Sequence, residues 1–87
     1  MNLLKHEGQH GVAVILFVDE GSWRADVDTY NADYSKWHTQ TLETNTLEKV
    51  IALTRSMFTR FGIPEYNRKG LIIERGQVRN ATNILST

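Results

Sequence analysis

The stretch NTLEKVIALTRSMFTRFGIP, residues 45–64, decides the fold. Its apolar residues recur at the i, i+3, i+4 spacing that places side chains on one face of an α-helix. These residues are Leu47, Val50, Ile51, Met57, Phe58 and Phe61, with Thr54 in the middle of the stripe. The spacing predicts an amphipathic helix over 46–61, with an apolar face wide enough to cover one face of a small sheet.

Both ends of this helix carry boundary signals. Asn45, followed three residues later by Glu48, is typical of an N-cap with a capping box. At the other end, Gly62 suits the first position beyond the helix, Ile63 offers a hydrophobic contact and Pro64 cannot continue the helix.

Upstream of the helix the hydrophobic period is two, which is typical of strands. Residues 12–18 are apolar on both alternating faces, so we expect a strand that is central in its sheet or covered on both sides. A polar turn at 19–22 predicts a hairpin with a second strand, and residues 36–43 form a third antiparallel strand. In the second strand, Trp23, Ala25, Val27 and Thr29 share one face, whereas Arg24, Asp26, Asp28 and Tyr30 share the other.

Downstream of Pro64 we expect a loop over 65–70 and a short strand over 71–73. Gly76 and Gln77 indicate a turn after which Val78 pairs back, and Asn80 is placed to cap a last helical turn ending near Leu85. The sequence therefore predicts one α+β domain over residues 1–87. Its β-β-β-α-β order gives a small antiparallel sheet with one main amphipathic helix packed on one face.

The aromatic residues divide into two groups. We expect Trp23 and Trp37 to pack under the helix against Phe58 and Phe61. The tyrosines lie in or beside loops, where they either pack at the rim of the core or form a stacking platform for a ligand. They are Tyr30, Tyr34 and Tyr66.

Composition excludes several classes of protein. The chain has 87 residues, no Cys and a formal net charge of zero, so disulfide scaffolds, thiolate metal sites and cysteine nucleophiles are excluded. The longest apolar run, 12–18, is too short to span a bilayer, and no signal-peptide core is recognisable. We therefore expect a cytoplasmic domain without a membrane segment. Its size favours binding over catalysis.

Two patterns point toward metal or acid–base chemistry. His6-Glu7-Gly8-Gln9-His10 reads as H-E-x-x-H, but the glycines disfavour the helix that this zinc motif needs. Asp26 and Asp28 share a strand face and are interpreted as its solvated polar side. The prediction is accordingly a non-enzyme with no catalytic residues, no metal and no cofactor. A metal-dependent enzyme using these groups is the least favoured hypothesis.

The charges are divided along the chain. Residues 1–47 hold three basic and seven acidic residues, and residues 48–87 hold seven basic and three acidic ones. Since the helix arginines avoid the apolar stripe, we expect a basic patch on its outer face and in the following loop. Its residues are Lys49, Arg55, Arg60, Arg68 and Lys69.

The second face of the sheet is the other candidate contact surface. If Ile15 and Phe17 point away from the helix, they are exposed apolar groups of the kind that mark an interface. The alternative is that the C-terminal segment folds over this face. Its predicted residues are Ile15, Phe17, Arg24, Tyr30, Lys36 and His38.

These features predict a small binding protein that acts by contact with another protein, as an inhibitor or an accessory subunit. Nucleic-acid binding through the basic patch is the alternative function. Association into a homodimer is a further hypothesis. In the order of its elements alone, the chain resembles AP2-like DNA-binding modules and small phage inhibitors such as anti-CRISPR proteins. That resemblance implies a phage or mobile-element type of protein.

Overall fold

The predicted helix is present in a computed structural model, which describes residues 9–31, 33 and 35–86. Helix α1 spans Leu47–Arg60, and its buried residues Val50, Thr54, Met57 and Phe58 lie on the predicted stripe. The hydroxyl of Thr54 donates to the carbonyl oxygen of Val50 at 2.8 Å, which satisfies the one polar group in the stripe.

The ends of α1 confirm one boundary prediction and correct the other. Gly62 has φ of +72°, and its amide donates to Thr59, while the amide of Ile63 donates to Phe58. This pair of hydrogen bonds is the Schellman ending that a glycine permits. The N-cap, however, is Thr46 and not Asn45, because the Thr46 hydroxyl accepts from the amide of Lys49 at 3.2 Å.

Five strands form one sheet in the order β3-β2-β1-β4-β5. Their bounds are His10–Asp19 for β1, Ser22–Tyr30 for β2, Lys36–Thr44 for β3, Arg68–Glu74 for β4 and Gln77–Asn80 for β5. A single 3-10 turn, Glu65–Asn67, precedes β4, and a short helix α2, Thr82–Leu85, follows β5. The central position of β1 and the β1–β2 hairpin are confirmed.

The sheet is mixed, which corrects the expectation of an antiparallel one. Strands β1, β2 and β3 alternate in direction, but β4 pairs parallel to β1. The crossover through helix α1 explains why β4 runs parallel to β1. It starts where β3 ends and runs back across β2 and β1, so the chain re-enters the sheet in the direction of β1.

The core lies between α1 and one face of the sheet, which we call the covered face. Alternate residues of β1 and β2 point into it, including Ala13, Ile15, Ala25 and Val27, all fully buried. Helix α2 packs on this same side, where Leu85 is buried and contacts Gly70. The C-terminal segment therefore does not cover the opposite face, which we call the open face.

Several predicted positions are wrong. Ile15 and Phe17 point to the covered face, where Ile15 is fully buried and Phe17 packs against the core. His38 also lies there, because it pairs with buried Thr29 and its ring lies 4.8 Å from that of Phe61. In each case the strand register, which depends on distant pairing, determines the face.

The tryptophans follow the prediction only in part. Trp23 is buried, but its ring packs at 5.1 Å against Phe17, at the end of the sheet near the start of α1. Trp37 does contact Phe61 edge-on at 5.1 Å, yet it is 46 % exposed. It lies where the β2–β3 register shifts, and this places it at the margin of the core.

Gly11 allows α1 to approach the sheet. A Cβ at this position would lie 2.5 Å from Cε1 of Phe58, which is a forbidden distance. We expect Gly11→Ala to destabilise the fold by about 1–3 kcal/mol through this overlap, as measured by urea denaturation. In a Phe58→Leu background the same substitution has more room, and its cost falls. An equal cost in both backgrounds would contradict this account of the close approach.

Candidate binding surfaces

A depression of about 480 Å³ lies beside the second half of α1. Arg55 and Thr59 are one helical turn apart, as are Ser56 and Arg60. Two adjacent rows of the helix therefore supply four of the residues that line the depression. The depression is lined by Ala52, Arg55, Ser56, Thr59, Arg60 and Arg68. The fold thus brings together three of the five residues of the predicted basic patch.

Arg68 differs from the prediction because it is the first residue of β4 and only 6 % exposed. Its Nε donates to the carbonyl oxygen of Ile63 at 3.0 Å, and its Nη1 donates to that of Leu85 at 3.4 Å. Its Nη2 donates to the Thr59 hydroxyl at 3.1 Å, and the guanidinium lies 5.8 Å from the centre of the Phe58 ring. Arg68 is therefore a structural residue whose guanidinium also lines the depression.

Arg68 is influenced by both a like and an opposite charge near the depression. Burial lowers the pKa of Arg68 from its ordinary value, Glu65 opposes this, and Arg55 lowers it further. The influence of Arg55 means that two positive groups act on each other here. Glu65 and Arg55 thus act on Arg68 in opposite directions, and Glu65 has the larger influence.

The other two members of the predicted patch lie elsewhere. Lys49 is in the first turn of α1, about 16 Å along the helix from Arg60 at 1.5 Å per residue. Lys69 pairs with Val12 and so belongs to the open face, on the other side of the sheet from α1. Strand alternation explains this separation, because neighbours in β4 point to opposite faces.

The open face carries an apolar strip across three adjacent strands. The strip is defined by Val12, Val14, Leu16, Leu71, Ile73 and Val78, which the β1–β4 and β4–β5 pairings bring side by side. Leu71 is 39 % exposed and Val78 is 61 % exposed. The apolar residues of the second face are thus different from those predicted, although the presence of such residues is as expected.

A cleft of about 410 Å³ lies at one end of this strip. The Asn67 side chain donates to the carbonyl oxygen of Gln9 at 2.8 Å and ties the turn before β4 to the start of β1. The cleft is lined by His10, Val12, Tyr30, Tyr66, Asn67 and Lys69. It unites Tyr30 and Lys69, which the sequence had assigned to separate surfaces.

Polar groups occupy the other half of the open face. Asp26 accepts from the Thr41 hydroxyl at 3.1 Å and pairs with Arg24 at 3.4 Å, and the Tyr30 hydroxyl donates to Asp28 at 3.3 Å. These contacts agree with the interpretation of the two aspartates as a polar strand face. The side chain of Lys36 is outside the described part of the chain, as are Tyr34 and the His6 and Glu7 positions of H-E-x-x-H.

Sequence reasoning missed three contributors to these surfaces. Ser56 and Thr59 line the depression and Asn67 lines the cleft, but only the helix pair carried a signal. Thr59 follows Arg55 by four residues, and Arg60 follows Ser56 by four, so a helical projection groups these residues with the arginines. The turn before β4 has no such periodicity.

Comparison of the chain with protein-family models, with curated proteins and with solved structures gave no match. Within residues 9–31, 33 and 35–86, no three His, Cys, Asp or Glu side chains are grouped so that they could hold a metal ion. Among the helices described, none is long and apolar enough to cross a membrane.

The hydrogen bonds of Arg68 lead to a stability prediction. Arg68→Lys keeps the positive charge but cannot reach three acceptors in different directions, so we expect a loss of about 2 kcal/mol in the free energy of unfolding. Urea denaturation measures this loss. Arg79→Lys is the matched control, because Arg79 is exposed and pairs with Glu74 at 3.5 Å, and we expect a change below about 0.5 kcal/mol. Equal effects of the two substitutions would contradict a structural role for Arg68.

Proposed function

We propose that this is a small non-enzymatic binding protein that docks another protein on its open face. The observation that carries the proposal is the exposed apolar strip, which crosses β1, β4 and β5 and ends at the tyrosine-lined cleft. Neighbouring apolar groups left exposed on one side of a domain usually mark an interface.

The energetics of the open face support a protein partner. Covering a side chain such as Leu71 or Val78 contributes up to about 1.5–3 kcal/mol, depending on how much of it is already buried. Tyr30 and Tyr66, at the end of the strip, are of the residue type most enriched where interfaces gain their energy. An apolar strip with tyrosines at one end is therefore suited to a protein surface.

The charges beside the strip indicate the chemistry of the partner. Asp26, Asp28 and Glu43 lie on the open face of β2 and β3, next to the strip. A complementary partner has an apolar patch with basic residues beside it. Arg24 pairs with Asp26 and Lys69 lies at the end of the strip, so the acidic excess on this face is small. A second copy of this chain brings the same carboxylates, and we therefore take a different protein as the partner.

Such a protein acts by occupying a surface of its partner, as an inhibitor or an accessory subunit. We place it in the cytoplasm, because small secreted domains commonly depend on disulfides and this sequence contains no Cys. The element order shared with small phage inhibitors supports a phage or mobile-element type, at the level of fold analogy.

Nucleic-acid binding is a second candidate, favoured by the three arginines beside α1. A gel-shift assay with single- and double-stranded probes over a salt series tests it, since phosphate contacts give steep salt dependence. Absence of any shift at low salt would remove this candidate.

The docking proposal predicts that charges placed on the strip abolish capture of the partner. In the double variant Leu71→Lys and Val78→Lys, two ammonium groups replace apolar contacts, and we expect binding to fall at least tenfold. The measurement is the amount of one specific protein retained from a lysate of the source organism, followed by titration with that protein. Leu53→Lys is the matched control, because Leu53 is 46 % exposed on the outer side of α1.

The control also defines the results that would contradict the proposal. Capture that is lost with Leu53→Lys but kept with the double variant would move the interface to α1. Sedimentation velocity of the wild type and the double variant tests whether a second copy of this chain occupies the open face. A dimer that only the double variant dissociates would make the partner a second copy and overturn the heterologous proposal.

A further inference from the structure

We infer that the depression beside α1 is a binding site for a single phosphate monoester, carried by Arg55, Arg60 and Arg68 with the hydroxyls of Ser56 and Thr59. It lies on the opposite side of the sheet from the proposed protein interface. The inference therefore does not depend on the proposed function.

The groups around the depression match the chemistry of a phosphate monoester. This ligand carries about −1.5 to −2 charges at pH 7 and presents three terminal oxygens that accept hydrogen bonds. Arginine offers paired N–H donors in a planar fork that suits such oxygens, and hydroxyls supply further donors. One carboxylate is satisfied by a single guanidinium, whereas three arginines line this volume of about 480 Å³.

Arg68 makes the site rigid. Its three hydrogen bonds to protein oxygens fix the guanidinium and use three of its five N–H groups. A donor that is already held in place loses little conformational freedom when a ligand binds. Arg55 and Arg60 approach from the helix and complete the set of cations.

Two local features oppose an anion at this place. The depression lies along the second half of α1, where the helix dipole is negative, and Glu65 is close enough to act on Arg68. Against these features, three arginines line the depression, and the last-turn carbonyls are engaged by the amides of Phe61, Gly62 and Ile63. Anion binding at the depression therefore depends on the arginine donors and not on the helix dipole.

The same arrangement argues against a nucleic-acid backbone as the ligand. A backbone presents singly charged phosphates in a row and is bound along an extended track of cations. Here three cations surround one depression, Lys49 lies about 16 Å along the helix and Lys69 is on the other face. A phosphorylated protein side chain or a phosphorylated small molecule supplies a single monoester group.

The test is an NMR titration of the uniformly ¹⁵N-labelled full chain at constant ionic strength. The probes are inorganic phosphate, a phosphoserine peptide, the same peptide with Glu in place of phosphoserine, and a single-stranded oligonucleotide. We expect saturable shifts at the amides of Ser56 and Thr59 and at the arginine Nε signals with both phosphate probes. The Glu peptide should bind at least fivefold more weakly than the phosphoserine peptide.

Arg55→Gln and Arg60→Gln should each weaken phosphate binding about fivefold, the effect of losing one charge-assisted hydrogen bond at a partly exposed site. Arg79→Gln, the same substitution on an exposed arginine of β5, should leave binding unchanged. Equal weakening in all three variants, equal affinity for the Glu peptide, or tighter binding of the oligonucleotide would each overturn the inference. Response to inorganic phosphate but not to the phosphoserine peptide would assign the site to small phosphorylated molecules.

Discussion

The buried guanidinium of Arg68 is the constraint on which the covered side of the sheet depends. A charged group can leave water only if acceptors meet its N–H donors. Those acceptors come from three segments: the last turn of α1, the chain that follows it and the end of α2. Arg68 therefore fixes both helices relative to β4, and the depression beside α1 results from the same arrangement.

Local signals explain the part of the fold that the sequence predicted correctly. The helical spacing of apolar residues in α1 and the glycine at its end are signals that depend only on nearby residues. The same is true of the apolar–polar alternation in β2 and of the turns that join neighbouring strands. The N-cap was misplaced because Asn45 and Thr46 are both good capping residues, and the pattern alone does not choose between them. Nothing local fixes the direction of β4, which depends on where α1 returns the chain.

The two candidate surfaces were harder to predict, because they depend on which face of a strand is covered and on residues that are distant in sequence. Strand β1 is apolar on both sides, so alternation does not reveal which side α1 covers. Gly11 is the informative residue, because only a residue without a side chain fits beneath Phe58. Arg68 lay within the predicted loop 65–70 and was expected to be exposed, whereas one of its acceptors, Leu85, lies 17 residues away in sequence.

Much of the division of charge along the sequence becomes a division between two sides of the molecule, although Arg24 and Lys69 lie on the open face. The acidic first half forms β1–β3, whose carboxylates Asp26 and Asp28 lie on the open face, and the basic second half contributes α1 with Arg55 and Arg60. A net charge of zero therefore coexists with local potentials of opposite sign, separated by the thickness of one sheet and one helix. Because the surfaces face away from each other, occupation of one leaves the other accessible. The proposed protein partner and the proposed phosphate group would thus not compete for the same surface.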